Sequence, residues 1–382
     1  MFRSPCGAGT GSSAQSPSAR NEEAVIGQLL DSIRRQDYPA ENLTTFVVAD
    51  NCTDATAQIA RGAGAVVYER TDKVHVGKGY ALNFLLSRIR KERGDQYYDG
   101  YFVFDADNLL SSDYVSRMNE VFGEDCQVVT SYRNSKNYGD NWISAGYGLW
   151  FLRDAAFLNA PRARLGLSAV VSGTGYLFSR EVMLRHNGWP FHSLSEDTEF
   201  TVDCHITGEK IGYCGEAELF DEQPPRLGQS VRQRMRWVRG NTLVLLRHGG
   251  RLAAGVGGRN GLSCLDLLLS MAPAIVLAVC GTAAGLLATA LELLSGGRVL
   301  PMLAAAAMSF LVPYLLLLLA GAVTTATQWG RIRTSAWKKV LYTLTFPLFM
   351  ATYVPITVLA LFGKVEWKPI EHRAAITVQE LK

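Results

Sequence analysis

The sequence predicts an α/β fold built on a doubly wound, mostly parallel sheet, followed by an α-helical transmembrane region. Short apolar runs alternate with helical patterns between residues 21 and 206, which is typical of a parallel sheet with helices on both faces. Two of these runs end at Asp50 and Asp105, and ligands of such sheets bind beyond the carboxyl ends of the strands. The charged residues between 260 and 328 are few: Asp266, Glu292 and Arg298. A polar domain followed by a membrane-embedded region explains this asymmetry.

The composition excludes several functional classes. The chain has 382 residues and a net charge of +3, from 38 Lys and Arg against 35 Asp and Glu. A dedicated nucleic-acid-binding protein would carry a larger positive charge, so no nucleic acid is expected as a partner. The seven cysteines form no C-x-x-C pair, which argues against a zinc ribbon or a disulfide framework and indicates a reducing compartment.

The elements begin after a polar N-terminal segment. Residues 1–19 are rich in Gly, Ser, Pro and Ala and contain no apolar run, so we expect disorder there, with neither a strand nor a signal peptide. Apolar residues at helical spacing predict a helix over 25–33 with Asn21 as its cap. The further predicted elements are strands over 43–49, 65–68 and 101–104 and helices over 79–89 and 200–206.

Three apolar segments are each long enough to cross a bilayer, which takes about 20 residues. They are residues 262–294, 300–327 and 340–362. Eight arginines lie between residues 226 and 259, and only Arg298 lies between the first two segments. The positive-inside rule therefore predicts that the domain over 20–225 is cytoplasmic. Residues 226–259 would form an interfacial amphipathic helix, 260–363 about three membrane helices and 364–382 a C-terminal tail.

This count of three spans does not decide on which side of the membrane the C-terminus lies. Three spans would place Lys364, Lys368 and Arg373 outside the cell, although basic residues prefer the inside. Either the third segment is re-entrant or interfacial, or the chain contains a further span.

The sharpest local pattern is the pair of acids Asp105 and Asp107, directly after a strand. Two carboxylates one residue apart can hold a divalent cation together with a diphosphate. A turn that ends a strand also favours aspartate, so this pattern alone leaves both interpretations open.

Two loops nearer the N-terminus are consistent with a nucleotide ligand. Asp50 begins the segment DNCTD (50–54) after another strand, where it either reaches a nucleoside or belongs to a helix cap. Lys78 lies between two glycines, where it either lies beside a diphosphate or belongs to an ordinary loop, because the spacing of a P-loop is absent.

Two later segments could carry acid–base and acceptor chemistry. Asp197 lies in SEDTEF (195–200), where its carboxylate could deprotonate an acceptor hydroxyl. The alternative is a capping box from Ser195 to Thr198. The basic segment before the first span carries three candidates for binding a leaving diphosphate and an acceptor: Gln233, Arg236 and Trp237.

Together and in order, these segments resemble the membrane-integrated, processive family 2 glycosyltransferases. That group includes the cellulose, hyaluronan, chitin and poly-N-acetylglucosamine synthases. The resemblance covers residue 19 to the end of the chain. The motifs that carry it are ARNEE (19–23), DNCTD (50–54), GKGYALN (77–83), DAD (105–107), SGTG (172–175), SEDTEF (195–200) and QRMRW (233–237).

The resemblance implies a GT-A fold and an inverting single displacement from a UDP-sugar, with Mg²⁺ or Mn²⁺ as the cofactor. The implied catalytic base is Asp197. The implied ligands of the nucleotide-sugar are Asp50, Lys78, Asp105 and Arg236. The implied metal ligands are Asp107 and, in support, Asp105. The implied acceptor or product ligands are Ser172, Gly173, Thr174, Gly175, Gln233 and Trp237.

Two departures from the family pattern bear on function. Family members begin the domain with an apolar strand preceded by membrane spans, whereas SSAQSPS (12–18) stands here. A start site placed downstream of the true one is our preferred interpretation. The gating-loop sequence of cellulose synthases is not visible after residue 237, which favours amino-sugar polymers over cellulose.

The resemblance leads to one main expectation and two alternatives. The main expectation is a multi-pass enzyme of the cell membrane, among membrane lipids, that extends a β-linked polysaccharide from UDP-N-acetylglucosamine or UDP-glucose. An accessory membrane subunit is a further expected partner. The first alternative is a non-processive enzyme that glycosylates diacylglycerol, ceramide or polyprenyl phosphate. The second is a catalytically inactive membrane scaffold.

Overall fold

In the part of the chain that the structure describes, nine strands form one mixed sheet at the centre of the fold. The computed structural model describes residues 13–15, 18–123, 125–271, 273–295, 299–363, 372, 374 and 376–380. The strands are β1 (Ser13–Gln15), β2 (Ser18–Ala19), β3 (Leu43–Asp50), β4 (Val66–Arg70), β5 (Gly100–Val103), β6 (Leu109–Leu110), β7 (Val128–Ser135), β8 (Tyr176–Ser179) and β9 (Ile211–Asp221). Their order is β2–β3–β1–β5–β8–β7–β9–β6, and β4 pairs with β3.

The helices lie on both faces of the sheet and continue beyond it. They are α1 (Ile26–Arg34), α2 (Thr56–Gly62), α3 (Lys78–Arg93), α4 (Tyr114–Val121), α5 (Trp142–Arg153), α6 (Ala160–Arg164), α7 (Arg180–Arg185), α8 (Glu196–Thr207), α9 (Leu227–Gly255), α10 (Gly261–Met271), α11 (Pro273–Leu294), α12 (Val299–Thr327), α13 (Ala336–Ala351) and α14 (Tyr353–Phe362). A π-helical segment, Asp154–Asn159, joins α5 to α6. Short 3₁₀ turns cover Ala40–Asn42 and Val378–Glu380.

Strand directions agree with the predicted parallel sheet in its first half. β1 is parallel to β3 and to β5, and β4 is parallel to β3. Beyond β5 the sheet is mixed, because β8 runs antiparallel to both β5 and β7. β7 and β9 are again parallel, with a register shift between Ser131 and Tyr132.

The N-terminal segment corrects the expectation of disorder without a strand over 1–19. The backbone of Ser13–Gln15 pairs with β3 on one side and β5 on the other, and Ser18–Ala19 pairs with the end of β3. Main-chain hydrogen bonds to two neighbours hold a strand whatever its side chains are, so a search for apolar runs misses it. Residues 1–12 and 16–17 lie outside the described residues.

The start of α1 also differs from the expectation. Asn21 does not cap it, because the residue before the helix is Val25. Asn21 instead has a φ of 59°, and its side-chain oxygen accepts a hydrogen bond from the Thr53 amide at 2.9 Å. Asparagine tolerates this left-handed conformation, so the residue joins the turn after β3 to the start of α1.

Apolar cores cover the two faces of the sheet. Phe46 and Val48 of β3 pack on one face with α3 and α8, whereas Val47 packs on the other with α1 and α4. Successive side chains of a strand point to opposite faces, so both layers of helices bury apolar surface against the same strands. This burial is the main stabilising contribution to the domain.

A third core joins the sheet domain to the C-terminal helices. It packs α5 against α13 and includes Tyr147, Phe151 and Phe349. A Cβ atom on Gly146 would lie 2.3 Å from Cγ of Phe349. The absence of a side chain at Gly146 is therefore what allows α5 and α13 to approach so closely.

The C-terminal helices were expected to cross a membrane about three times. Among the described residues, one helical stretch, Ala336–Phe362, is long and apolar enough to do so, and shorter apolar stretches cover Gly261–Met271 and Leu311–Thr327. Large apolar side chains on these helices are exposed; Leu294 is 85% exposed, Leu316 62% and Phe362 87%.

Candidate active site

Most of the predicted site residues line one cavity of about 1770 Å³. A site for a single small ligand usually has roughly 300–1,000 Å³, so this cavity has room for a donor and an acceptor together. The predicted residues that line it are Lys78, Asp105, Asp107, Ser172, Gly173, Asp197, Gln233, Arg236 and Trp237.

Lys78 joins two of the predicted motifs. It is the first residue of α3, and its Nζ donates to Oδ1 of Asp105 at 2.5 Å and to the carbonyl oxygen of Gly173 at 2.6 Å. The Asp105 amide donates to Oγ1 of Thr174 at 2.9 Å. The loop after β5 and the SGTG loop therefore form one wall of the cavity.

Asp107 is a buried carboxylate held ionised by its surroundings. Its Oδ2 accepts a hydrogen bond from the Glu222 amide at 2.8 Å. Burial acts to raise the pKa of Asp107, but the positive charges of His372 and Lys136 outweigh it and hold the pKa below its usual value. A carboxylate that stays negative at neutral pH is a suitable ligand for a divalent cation.

The C-terminal tail reaches this corner. Nδ1 of His372 lies 3.1 Å from both carboxylate oxygens of Glu22, and the Ala374 amide donates to Oε2 of Glu222 at 2.8 Å. Despite its burial, the negative charges of Asp107 and Glu22 raise the pKa of His372 to about 10. The tail therefore places a positive charge beside the acids that follow β5.

Asp105 and Asp107 are the candidate metal ligands at this corner. No group of three or more His, Cys, Asp or Glu among the residues that the structure describes is arranged to hold a metal ion. Asp105 and Asp107 nevertheless supply the hard oxygen donors that Mg²⁺ and Mn²⁺ prefer. Mg²⁺ is commonly held by one or two carboxylates plus substrate phosphates, and these two acids fit that arrangement.

Asp197 lies in the first turn of α8 and faces the SGTG loop. A Cβ atom on Gly173 would lie 3.8 Å from Oδ2 of Asp197, and Gly173 has a φ of 76°. The alternative capping box is wrong, because the Ser195 side chain makes no capping hydrogen bond.

Glu196 differs from its neighbour Asp197. Burial, followed by the negative charge of Asp197, raises the pKa of Glu196 to about 7. Both side chains line the cavity. Two adjacent carboxyl groups in different surroundings can divide acid and base roles between them.

The QxxRW residues of α9 face the cavity from its other side. Nη1 of Arg236 donates to the carbonyl oxygen of Leu194 at 2.9 Å. Trp237 packs edge-to-face on Tyr147, with ring centroids 5.6 Å apart. Oε1 of Gln233 is buried and has no hydrogen-bond partner in the described part of the chain, so it is available to a ligand.

Three predicted residues do not line the cavity. Asp50 is buried and its Oδ1 accepts from Nη1 of Arg70 at 2.6 Å; burial raises the pKa of Asp50 although Arg70 opposes this. Thr174 and Gly175 lie behind the wall, where the Gly175 carbonyl accepts from the Tyr114 hydroxyl at 2.9 Å. Their contacts support the SGTG loop and make no approach to a ligand.

The sequence prediction missed an arginine and its acid. Nε of Arg133, in β7, donates to Oδ2 of Asp221 at 2.8 Å, and its Nη1 donates to the Ser172 carbonyl at 2.7 Å. Both residues line the cavity. Asp221 ends β9 in the same way as Asp50 ends β3, so an acid at the end of a strand was the signal that could have found it.

Comparison with known proteins identifies the family of this chain. The family described as "Glycosyltransferase like family 2" matches residues 18–240. The chain belongs to glycosyltransferase family 2. It is an enzyme, and the matched region contains every motif on which the resemblance rested.

Two relatives show the range of this family. A beta-monoglucosyldiacylglycerol synthase of Synechocystis sp. is 27% identical over 237 residues, covering 58% of this chain and 46% of that protein. A poly-beta-1,6-N-acetyl-D-glucosamine synthase of Staphylococcus aureus is 23% identical over 235 residues, covering 59% and 54%. The chain thus spans about half the length of the curated relatives it matches.

The fold is shared with a solved glycosyltransferase. A mannosyltransferase from Pyrobaculum calidifontis, in complex with GDP-Man and Mn²⁺, has a TM-score of 0.58 at 18% identity, covering 92% of this chain and 87% of that one. The GT-A fold expected from the motifs is thereby confirmed.

Proposed function

We propose that this family 2 glycosyltransferase is a membrane-associated, inverting enzyme that transfers a sugar from a UDP-sugar to an acceptor hydroxyl. UDP-N-acetylglucosamine and UDP-glucose are the favoured donors. One observation carries the proposal: Asp105, Asp107, Asp197 and Arg236 line a single cavity, which continues among the apolar C-terminal helices.

The donor end of the cavity would bind the nucleotide diphosphate. Lys78 and Arg236 both line the cavity and would supply positive charge to the diphosphate. Asp50, the last residue of β3, is the proposed nucleoside ligand. Asp107, supported by Asp105, would hold Mg²⁺ or Mn²⁺ together with the diphosphate, and the cation would neutralise charge that develops on the leaving group. The mannosyltransferase of the same fold was solved in complex with Mn²⁺, which supports this assignment.

The acceptor end would carry the proton transfer. Asp197 accepts the proton of the acceptor hydroxyl as its oxygen attacks the anomeric carbon on the face opposite the diphosphate. The glycosidic bond to the diphosphate breaks, Arg236 stabilises the departing charge, and the anomeric centre is inverted. Gln233, Trp237, Ser172 and Gly173, which line the cavity, would hold the acceptor in line.

Membrane association is proposed from the surface of the C-terminal helices. Leu294, Leu316 and Phe362 are each more than half exposed, and exposed apolar surface is typical of protein or membrane contacts. Five of the eight arginines over 226–259 are exposed: Arg226, Arg232, Arg247, Arg251 and Arg259. These five would face the cytoplasmic lipid head groups and place the catalytic domain on that side.

The proposal includes two classes of acceptor, because the two relatives described above have names that indicate different products. A growing β-linked polysaccharide corresponds to the name of the Staphylococcus aureus relative, and a membrane lipid to that of the Synechocystis relative. An accessory membrane subunit remains part of the polysaccharide proposal. Family membership favours either enzyme over the inactive scaffold.

The proposal is tested with membranes that contain the full chain, Mg²⁺ or Mn²⁺ and a panel of labelled UDP-sugars. The products are separated into an organic-soluble and a high-molecular-weight fraction. We expect label in one of the two fractions, and we expect a chelator to abolish that labelling. Membranes that contain Asp197→Asn serve as the control. Absence of label with every donor, in membranes where the wild-type chain binds UDP, contradicts the proposal.

A further inference from the structure

We infer that the acceptor is a neutral, hydroxyl-headed lipid whose hydrocarbon chain lies in the deep part of the cavity, between α11, α12 and α14. The inference deepens the proposed function and rests on it, because it concerns the acceptor of the same site. This part of the cavity, here called the deep part, is lined mostly by small and apolar residues: Gly281, Gly285, Ala288, Pro313, Leu317 and Val354. Glu292 lines the cavity near the C-terminal end of α11.

The shape of the deep part is suited to a narrow apolar chain. Gly281 and Gly285 are one helical turn apart on α11 and both line the cavity, so they lie on the same face of that helix. A Cβ atom added at either position would meet no atom within 4 Å. The open space along α11 is therefore bordered by bare backbone and, on α12 and α14, by Leu317 and Val354.

Two hydroxyl groups of this part, those of Tyr314 and Thr289, are already bonded to the main chain. Oη of Tyr314 donates to the carbonyl oxygen of Leu344 at 3.2 Å, and Oγ1 of Thr289 donates to that of Gly285 at 2.8 Å. A polysaccharide carries several hydroxyl groups per sugar, and each needs a hydrogen-bond partner when it leaves water. A hydrocarbon chain needs none and gains from the burial.

The charges at the entrance of the deep part favour a neutral head group. Nη2 of Arg153 donates to Oδ1 of Asp154 at 2.7 Å, and Nε of the largely buried Arg162 donates to Oδ2 of Asp266 at 2.7 Å. Each arginine is therefore balanced by an acid. A phosphate head group would meet no unbalanced positive charge at these two positions.

The entrance also offers a hydrogen-bond donor. Nε of Arg153 is buried and has no partner among the described side chains, and Arg153 lines the cavity beside the π-helical segment Asp154–Asn159. π-Helical turns occur frequently at functional sites. An ester, amide or hydroxyl oxygen of a lipid head group could accept this hydrogen bond, with the free hydroxyl directed to Asp197.

The test fills the deep part and varies the acceptor. Gly285→Leu places a side chain into the open space, and Leu287→Phe enlarges a residue of the same helix that is 62% exposed and does not line the cavity. Purified full-length chain in detergent is given the labelled donor and one of four acceptors: long-chain diacylglycerol, short-chain diacylglycerol, polyprenyl phosphate or a β-linked oligosaccharide.

We expect the wild-type chain to prefer long-chain diacylglycerol. Gly285→Leu should lower transfer to it at least tenfold, lower binding of a labelled long-chain diacylglycerol in parallel, and leave transfer to the short-chain acceptor and UDP binding near wild type. Leu287→Phe should change none of these rates.

Three results would overturn the inference while leaving the proposed function intact. The first is that the wild-type chain prefers the oligosaccharide as acceptor, and the second is that it prefers polyprenyl phosphate. The third is that Gly285→Leu lowers the rate of transfer equally for all acceptors. If the wild-type chain transfers sugar to no acceptor, the proposed function fails. In that case the binding of labelled diacylglycerol tests the lipid site alone. Binding that is weakened by Gly285→Leu but not by Leu287→Phe would support the site. Absence of diacylglycerol binding would overturn the inference.

Discussion

At the scale of single residues, the site depends on two adjacent carboxyl groups with different surroundings. Asp197 faces the SGTG loop, whereas the pKa of its buried neighbour Glu196 is raised to about 7. Adjacent positions on a helix point about 100° apart, so one turn of α8 presents both groups to the cavity in different environments.

The first prediction concerns Asp197. Asp197→Asn should lower the rate of sugar transfer by about 10²–10⁴-fold, the usual contribution of a general base, and leave UDP binding nearly unchanged. Steady-state rates and calorimetric titration with UDP measure the two effects. Asp203→Asn, on the same helix but outside the cavity lining, is the matched control. Loss of UDP binding by Asp197→Asn would instead assign Asp197 a nucleotide-binding or structural role.

The second prediction concerns Glu196 and pH. The ordinary pKa of this group is 4.5 and its folded value is about 7, so between these values the folded protein holds a proton that the unfolded chain has released. Stability contributed by this group is therefore lost as pH rises through that window. Glu196→Gln has no group that titrates here, so it should not lose this stability. The melting temperature of the variant minus that of the wild type should therefore increase from pH 4.5 to 7 and then level off. A difference that does not vary with pH would contradict this pKa.

The sequence predicted the residues that project from loops and helix starts, and it missed those that depend on pairing between distant strands. Lys78, Asp105 and Asp197 each follow a local pattern. Arg133 and Asp221 are 88 positions apart, and only the parallel pairing of β7 with β9 brings them together.

At the scale of elements, apolar runs located the strands well. The runs over 43–49, 65–68 and 101–104 correspond to β3, β4 and β5 within two residues, because buried parallel strands are apolar on both faces. β1 carries no such run and is held by the backbone of its two neighbours. Helix α8 begins at Glu196 and not at residue 200, because the acids of its first turn hide the apolar pattern although they suit the helix dipole.

The third prediction concerns the contact between α5 and α13. Gly146→Ala places a methyl group where Cγ of Phe349 lies 2.3 Å away, so the two helices must separate or the ring must move, at a cost of about 1–3 kcal/mol. The melting temperature should fall, and transfer should fall with it because Trp237 packs on Tyr147 of the same helix.

The matched control for this variant is Gly62→Ala. Gly62 lies in α2, and a Cβ atom there meets nothing within 4 Å. The substitution should stabilise the protein by about 0.4–1 kcal/mol through the unfolded state. Equal melting temperatures for Gly146→Ala and Gly62→Ala would show that α5 and α13 do not pack as closely as described.

At the scale of the whole molecule, the two ends of the described chain meet at the active site. His372 contacts Glu22, and Ala374 contacts Glu222, next to the buried Asp107. The sequence did not predict this contact, because nothing in the composition of residues 364–382 indicates where the tail lies.

The fourth prediction concerns the position of that tail in the cell. The tail contacts the catalytic domain, so both should lie on the cytoplasmic side. A fluorescent protein fused after residue 382 should therefore be fluorescent, and alkaline phosphatase fused at the same place should be inactive. Glu22→Ala, which removes the partner of His372, should leave the side unchanged while it weakens the contact. An active phosphatase fusion would contradict the placement of the tail beside the catalytic domain.

The contact between His372 and Glu22 also fixes the parity of the membrane crossings. A chain that leaves the catalytic domain at residue 255 and returns to it at residue 372 must traverse the bilayer an even number of times, if it traverses it at all. About three crossings over 260–363 stays a prediction, whereas the contact between His372 and Glu22 favours an even number. Two or four crossings would return the chain to the side on which basic residues accumulate.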